Sequence, residues 1–127
     1  MVTRSPGNLR VGMASPQNVA AAWVVFQGAA VTLSTASVYA VSSLTDNGAG
    51  DWTVTWAQAF QAATTATPYA VFCSAQSDGA GGSAGTIRIG VNDTDALTTT
   101  SARIRSVNGN NGQYDSQLVT VLAYGNV

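Results

Sequence analysis

The sequence predicts an all-β fold, an antiparallel β-sandwich of jelly-roll type with about seven or eight strands, and three observations carry that expectation. The helical period of apolar residues is nowhere sustained along the 127 residues. Short runs rich in Val, Ile, Thr, Tyr and Trp instead recur about every ten residues, separated by Gly, Asn, Asp and Ser clusters. In the clearest run, Asp51 to Trp56, the side chains of Trp52, Val54 and Trp56 fall on one face and those of Thr53 and Thr55 on the other. A chain of this length suffices for one domain with one core.

Taken in order, residues 1–19 contain Pro6, Gly7, Gly12, Pro16, Arg4 and Arg10 and lack strand-like alternation, so they read as an extended N-terminal arm ahead of a β-domain over residues 20–127. Strands are expected at 22–27, 31–34, 37–44, 51–56, 69–75, 85–91, 101–107 and 117–124. The pair 37–44 and 51–56 reads as a hairpin, because the intervening Thr45-Asp46-Asn47-Gly48-Ala49-Gly50 is rich in residues that tolerate positive φ. Its loop is longer than a two-residue turn, and the turn type is left open. Residues 57–67 are Ala/Thr-rich and end before Pro68, which predicts a crossover loop with room for one helical turn. The glycine-rich stretches 76–84 and 108–112 predict surface loops.

Composition narrows the functional classes. The chain is 46% hydrophobic and only 9% charged, yet its apolar residues are interrupted too often to give the ~18 consecutive ones of a membrane span. The first fifteen residues lack the continuous apolar stretch of a secretory signal, so the expectation is a protein that stays, or is assembled, in the cytoplasm where it is made. Five Arg stand against six Asp for a formal charge of -1, with no basic stripe to displace counterions from nucleic acid. His, Lys and Glu are all absent. That removes the usual imidazole base, the amine nucleophile and the carboxylate most often tuned for acid work, and the expectation is that the protein is not an enzyme and uses no cofactor. One Cys without His cannot assemble a zinc site, and without Lys no Lys–Asn isopeptide brace can form. Cys73, inside Val71-Phe72-Cys73, reads as a small buried thiol.

Several groups remain as candidates. Asn92, Asp93 and Asp95 offer oxygen ligands suited to calcium, but they lack the spacing of a calcium loop, and turn chemistry at a strand end accounts for the same residues. Arg88, Arg103 and Arg105 alternate with Ile87, Ile89 and Ile104, so their strands point isoleucine inward and arginine outward. They are either solvated faces opposed by scattered Asp, or planar guanidinium groups that sit at subunit contacts or pair with Asp115 across an interface. The aromatics Trp23, Trp52, Trp56, Tyr39, Tyr69 and Tyr124 lie in strand alternation, which favours packing over a sugar platform. Tyr114 stands apart in an Asn/Gly loop and, with Asn110 and Asn111, is the candidate receptor contact.

The run Ala22-Trp23-Val24-Val25-Phe26-Gln27-Gly28, followed by Val41-Ser42-Ser43-Leu44-Thr45-Asp46-Asn47-Gly48-Ala49-Gly50-Asp51-Trp52-Thr53-Val54, resembles a β-domain found in tail-fibre and other virion proteins of tailed bacteriophages. Pro68-Tyr69-Ala70-Val71, Arg103-Ile104-Arg105 and the ending from Asp115-Ser116 to Tyr124-Gly125 resemble that family's later strands, so the likeness runs from about Ala20 to Gly125. The Ala/Thr-rich stretch before Tyr69 departs from the shorter Met-Pro turn of the family.

The resemblance implies a structural protein on the outer surface of a virion, assembled in the host cytoplasm as a homo-oligomer, with a trimer expected from the fibre domains. Arg4 and Arg10 would then belong to an arm that anchors the domain to other tail or capsid proteins. Two alternatives stand beside a tail fibre: a capsid decoration or head-spike protein, favoured by the short chain and the arm, and a lectin-like module that binds host surface glycan through Tyr114 and its loop. A depolymerase using paired Asp is the last choice, since loops this short leave little room for a cleft.

Overall fold

The computed structural model describes residues 20–61, 69–77, 88–91 and 97–127. Eight strands are present among them: β1 (Ala22–Phe26), β2 (Ser37–Tyr39), β3 (Val41–Gly48), β4 (Asp51–Trp56), β5 (Ala70–Gln76), β6 (Arg88–Val91), β7 (Ser101–Val107) and β8 (Leu118–Tyr124). They form two four-stranded antiparallel sheets, ordered β2-β1-β8-β5 and β3-β4-β7-β6, which pack together as a sandwich. The expected all-β sandwich is therefore the observed fold. The winding places the first strand beside the last, β1 on β8, and β4 on β7 in the facing sheet.

Alternation builds the core. Ala22, Val24 and Phe26 of β1 and Val119, Val121 and Ala123 of β8 face Trp52, Val54 and Trp56 of β4 and Ala102 and Ile104 of β7, all of them buried. Phe26 meets the Trp52 ring edge-on, with centroids 5.5 Å apart. At the other end Trp56, Phe60 and Tyr69 form a second aromatic group, in which Phe60 stacks on Tyr69 at 4.0 Å. The polar atoms of that group are satisfied: Trp56 Nε1 donates to the Tyr69 hydroxyl, which donates to the Ser101 carbonyl, both at 2.8 Å. Burial pushes the Tyr69 hydroxyl pKa up, against the indole bond that lowers it.

Three local expectations are corrected. Residues 31–34 do not pair as a strand; Leu33–Thr35 is a 3-10 turn, closed by Thr35 N to Thr32 O and by a 2.6 Å contact between the Thr32 and Thr35 hydroxyls. Local hydroxyl bonds outcompete a ladder there. Residues 37–44 are not one strand, because Ala40, at φ 55°, turns the chain from one sheet into the other. The bond from Ala57 N to Ala40 O, 2.9 Å, holds that corner. The hairpin loop is shorter than expected: β3 continues to Gly48, which pairs with Asp51, and only Ala49 and Gly50 turn. A register shift between Asp46 and Gly48 absorbs the extra residue as a bulge.

Other expectations hold with small changes of boundary. β1, β4, β5, β7 and β8 fall where alternation placed them, and residues 57–61 leave β4 without regular structure on the way to β5 in the facing sheet. The loop at 108–112 is tied down by Asn108, whose Oδ1 accepts from Asn110 N and Gly112 N at 3.0 Å each. The N-terminal arm, most of the stretch 76–84 and the Asn92, Asp93 and Asp95 cluster lie outside the described residues.

Candidate functional site

The hairpin quoted above for its family resemblance is a structural device. Gly48 N donates to Asp46 Oδ1 at 2.9 Å, and Asn47 Nδ2 donates to Thr53 Oγ1 at 2.9 Å and to Asp51 Oδ1 at 3.2 Å. Its tip docks on β7 and on the segment before β8. Gly50 N donates to Asp115 Oδ1 at 2.7 Å, and Ser106 N donates to Gly50 O at 2.8 Å. Gly50 has φ 65°, and a Cβ there would sit 2.5 Å from Ser106 O and from Tyr114 N, so glycine is required twice over.

Beside the tip, Arg103 donates through Nε to Asp51 Oδ1 and through Nη2 to Oδ2, each at 2.8 Å. This bidentate pair holds the Asp51 carboxyl below the ordinary aspartate range, against the upward push of its burial; Asn47 adds to the lowering. The carboxylate is thus fixed and occupied, which suits bracing of a sheet better than proton transfer.

The sequence-proposed site residues fall into this frame. Arg103 and Arg105 point out from β7 on the same face, as alternation requires, but Arg103 is paired with Asp51 and Asp115 serves the hairpin turn. With the Gln113 amide oxygen turned toward it, Arg105 donates to that side chain through Nε and Nη2 at 3.1 and 3.0 Å. Arg88 Nη2 donates to Asn111 Oδ1. Arg88, Arg105, Val107 and Asn111, together with the β6 run Ile89–Val91, line an open cleft of about 430 Å³ along the β6–β7 pair. Asn110 is exposed in the adjoining loop, and Asn111 adopts φ 63°. Tyr114 is half-buried behind the hairpin tip, its backbone N donating to Ser106 O at 3.2 Å, which places it away from the tip of its loop. Arg4 and Arg10 lie outside the described residues.

Among the described residues no three acidic, His or Cys side chains gather to hold a metal. Cys73 faces the sandwich interior with Val71 and packs against the core, where burial pushes its thiol up to about 12.

Sequence reasoning missed the outer face of the first sheet. Cross-strand register places Tyr39, Trp23, Leu122 and Phe72 side by side across all four strands, β2 to β5. Tyr39 and Phe72 are 58% and 60% exposed, and Tyr124 meets Phe72 edge-on at 5.7 Å. Ser37, Val25, Thr120, Leu118, Ala70, Ser74 and Gln76 complete the face by register, so it carries no charge. The opposite outer face, on the second sheet, carries Asp51, Arg88, Arg103 and Arg105. A signal was present: Ala22–Phe26 and Leu118–Tyr124 are apolar nearly throughout, the mark of strands covered on both faces. Comparison with protein-family models, with curated proteins and with solved structures found no match.

Proposed function

We propose that this chain is a structural protein of a bacteriophage virion, displayed on the particle surface and acting by association. The observation that carries the reading is the division of its exterior into an uncharged apolar sheet face and an arginine-bearing polar one. Such a molecule is made to be held on one side and wetted on the other. The fixed Asp51–Arg103 pair and the firmly bonded hairpin tip add rigidity without adding reactive groups. The sequence resemblance to virion surface β-domains supplies the setting, tail fibre first and capsid decoration second, and a trimeric state is the expectation it brings. Cryo-electron microscopy of intact particles, with antibody against the chain, tests this: labelled density on the tail or capsid exterior is expected, and unlabelled particles overturn it.

A second reading, a receptor-binding module for host glycan, is favoured by the cleft of Arg88, Arg105 and Asn111. Guanidinium and amide groups at one opening suit a sugar bearing a carboxylate. Binding on a glycan array that falls with Arg105→Ala supports it.

A further inference from the structure

The apolar row runs across the whole outer face of the first sheet, from β2 through β1 and β8 to β5. β5 contributes Ala70, Phe72, Ser74 and Gln76 to that face, without charge or proline, in unbroken register with β8. Phe72 is the most exposed large apolar side chain among the described residues, and Tyr39 at the far end of the row is nearly as open.

We infer that a second copy of this chain covers the outer face of the first sheet. The inference rests on the reading of an assembling structural protein and names the surface through which its copies meet. Charge is the first argument. The face has no ionised group, so copies can approach it against itself with no like-charge repulsion and no carboxylate or guanidinium to desolvate. A formal charge of -1 on the whole chain adds little repulsion.

Area is the second. Four strands about 4.8 Å apart, of three, five, seven and seven residues rising about 3.3 Å each, outline roughly 350 Å². Two such faces outline roughly 700 Å², and side chains standing off the sheet raise the area withdrawn from water toward ~1,000 Å², the size of a weak interface between copies.

Sedimentation velocity on the purified full chain between ~1 and ~100 µM tests the inference, since an interface of this size dissociates in or below that range. The wild-type chain is expected to be oligomeric at the upper concentrations. Tyr39→Asp and Phe72→Asp should each weaken association by at least ~100-fold, with far-UV circular dichroism and thermal unfolding retained because both rings point outward. Ser43→Asp, exposed on the opposite outer face, should leave association intact. Amide hydrogen exchange over residues 70–76 should be slow in the oligomer and fast in the Phe72→Asp monomer. A wild-type monomer at ~100 µM, or variants that stay assembled, would overturn the inference. So would a folded monomer that binds arrayed glycans through Tyr39 and Phe72. Particles that carry a protein found monomeric in solution would overturn the self-association while leaving the virion reading intact.

Discussion

The indole nitrogen of Trp52 donates to the carbonyl oxygen of Gly28 at 3.1 Å inside the core. This bond joins the two parts of the sequence signature, the end of the Ala-Trp-Val-Val-Phe-Gln-Gly run and the start of β4. Gly28 is itself clamped: its N donates to Ser116 O at 2.9 Å, and a Cβ on it would lie 2.5 Å from that oxygen and 2.8 Å from the Trp52 ring. Trp52, Gly28 and Ser116 therefore fix where β1, β4 and the approach to β8 meet.

Trp52 is fully buried, so its truncation leaves a cavity and an unpaired Gly28 carbonyl. Trp52→Ala should cost about 3 to 5 kcal/mol, and Trp52→Phe distinctly less because most of the ring volume stays. Chemical denaturation followed by circular dichroism measures both. A loss under ~1 kcal/mol for the alanine variant would contradict the observed face of β4.

Gly50→Ala tests the hairpin tip. The new methyl group would meet two backbone atoms that cannot swing aside, in a conformation disfavoured for any other residue, and a loss of about 3 kcal/mol or more is expected. Gly48→Ala is the comparison: open space surrounds it, but its φ of 124° lies outside the left-handed well, so backbone strain alone should cost about 1 to 3 kcal/mol. Equal effects would mean that docking of the tip contributes nothing beyond turn strain.

These positions show how much of the fold was legible in the residues. Alternation located β4 and β7 because one face of each is apolar and the other polar, and it identified Trp52, Val54 and Trp56 as inward. It misread residues 37–44, where alternation continues smoothly through Ala40, because a corner between sheets is dictated by tertiary partners such as Ala57 N and not by composition. The candidate site was legible only in part. Outward Arg103 and Arg105 followed from the period of two, but their partners, Asp51 and Gln113, come from strand register and loop return, which one sequence does not display. The row Tyr39-Trp23-Leu122-Phe72 draws one residue from each of four strands scattered along the chain, and so stays invisible until pairing is known.

The Asp51–Arg103 pair sets an acid limit. Because the folded-state carboxyl titrates below the unfolded one, its contribution is complete above the ordinary aspartate range and is lost as pH falls through the folded value. Arg103→Ala should cost about 2 kcal/mol near neutral pH by leaving the Asp51 carboxylate buried with Asn47 alone, and should flatten the fall in stability below pH ~4. Thermal melts across pH measure this, and an unchanged acid limb would assign the pair no role in it.

Cys73 sets the alkaline limit with the opposite sign. Its thiol is neutral in the fold and, with its pKa pushed up to about 12, stays so well above the point at which an unfolded cysteine ionises. The unfolded chain therefore gains thiolate first, and stability should decline as pH rises beyond ~9. In the folded protein the thiol stays neutral at pH 8, so alkylation by iodoacetamide should be much slower than that of a free cysteine and rise to the free rate in denaturant. Cys73→Ser should not abolish the alkaline decline entirely, since Tyr69, also raised by burial, ionises later in the unfolded-to-folded comparison and sustains it at higher pH. Rapid alkylation of the native chain would instead show that β5 opens readily, as an edge strand does when nothing is paired to it.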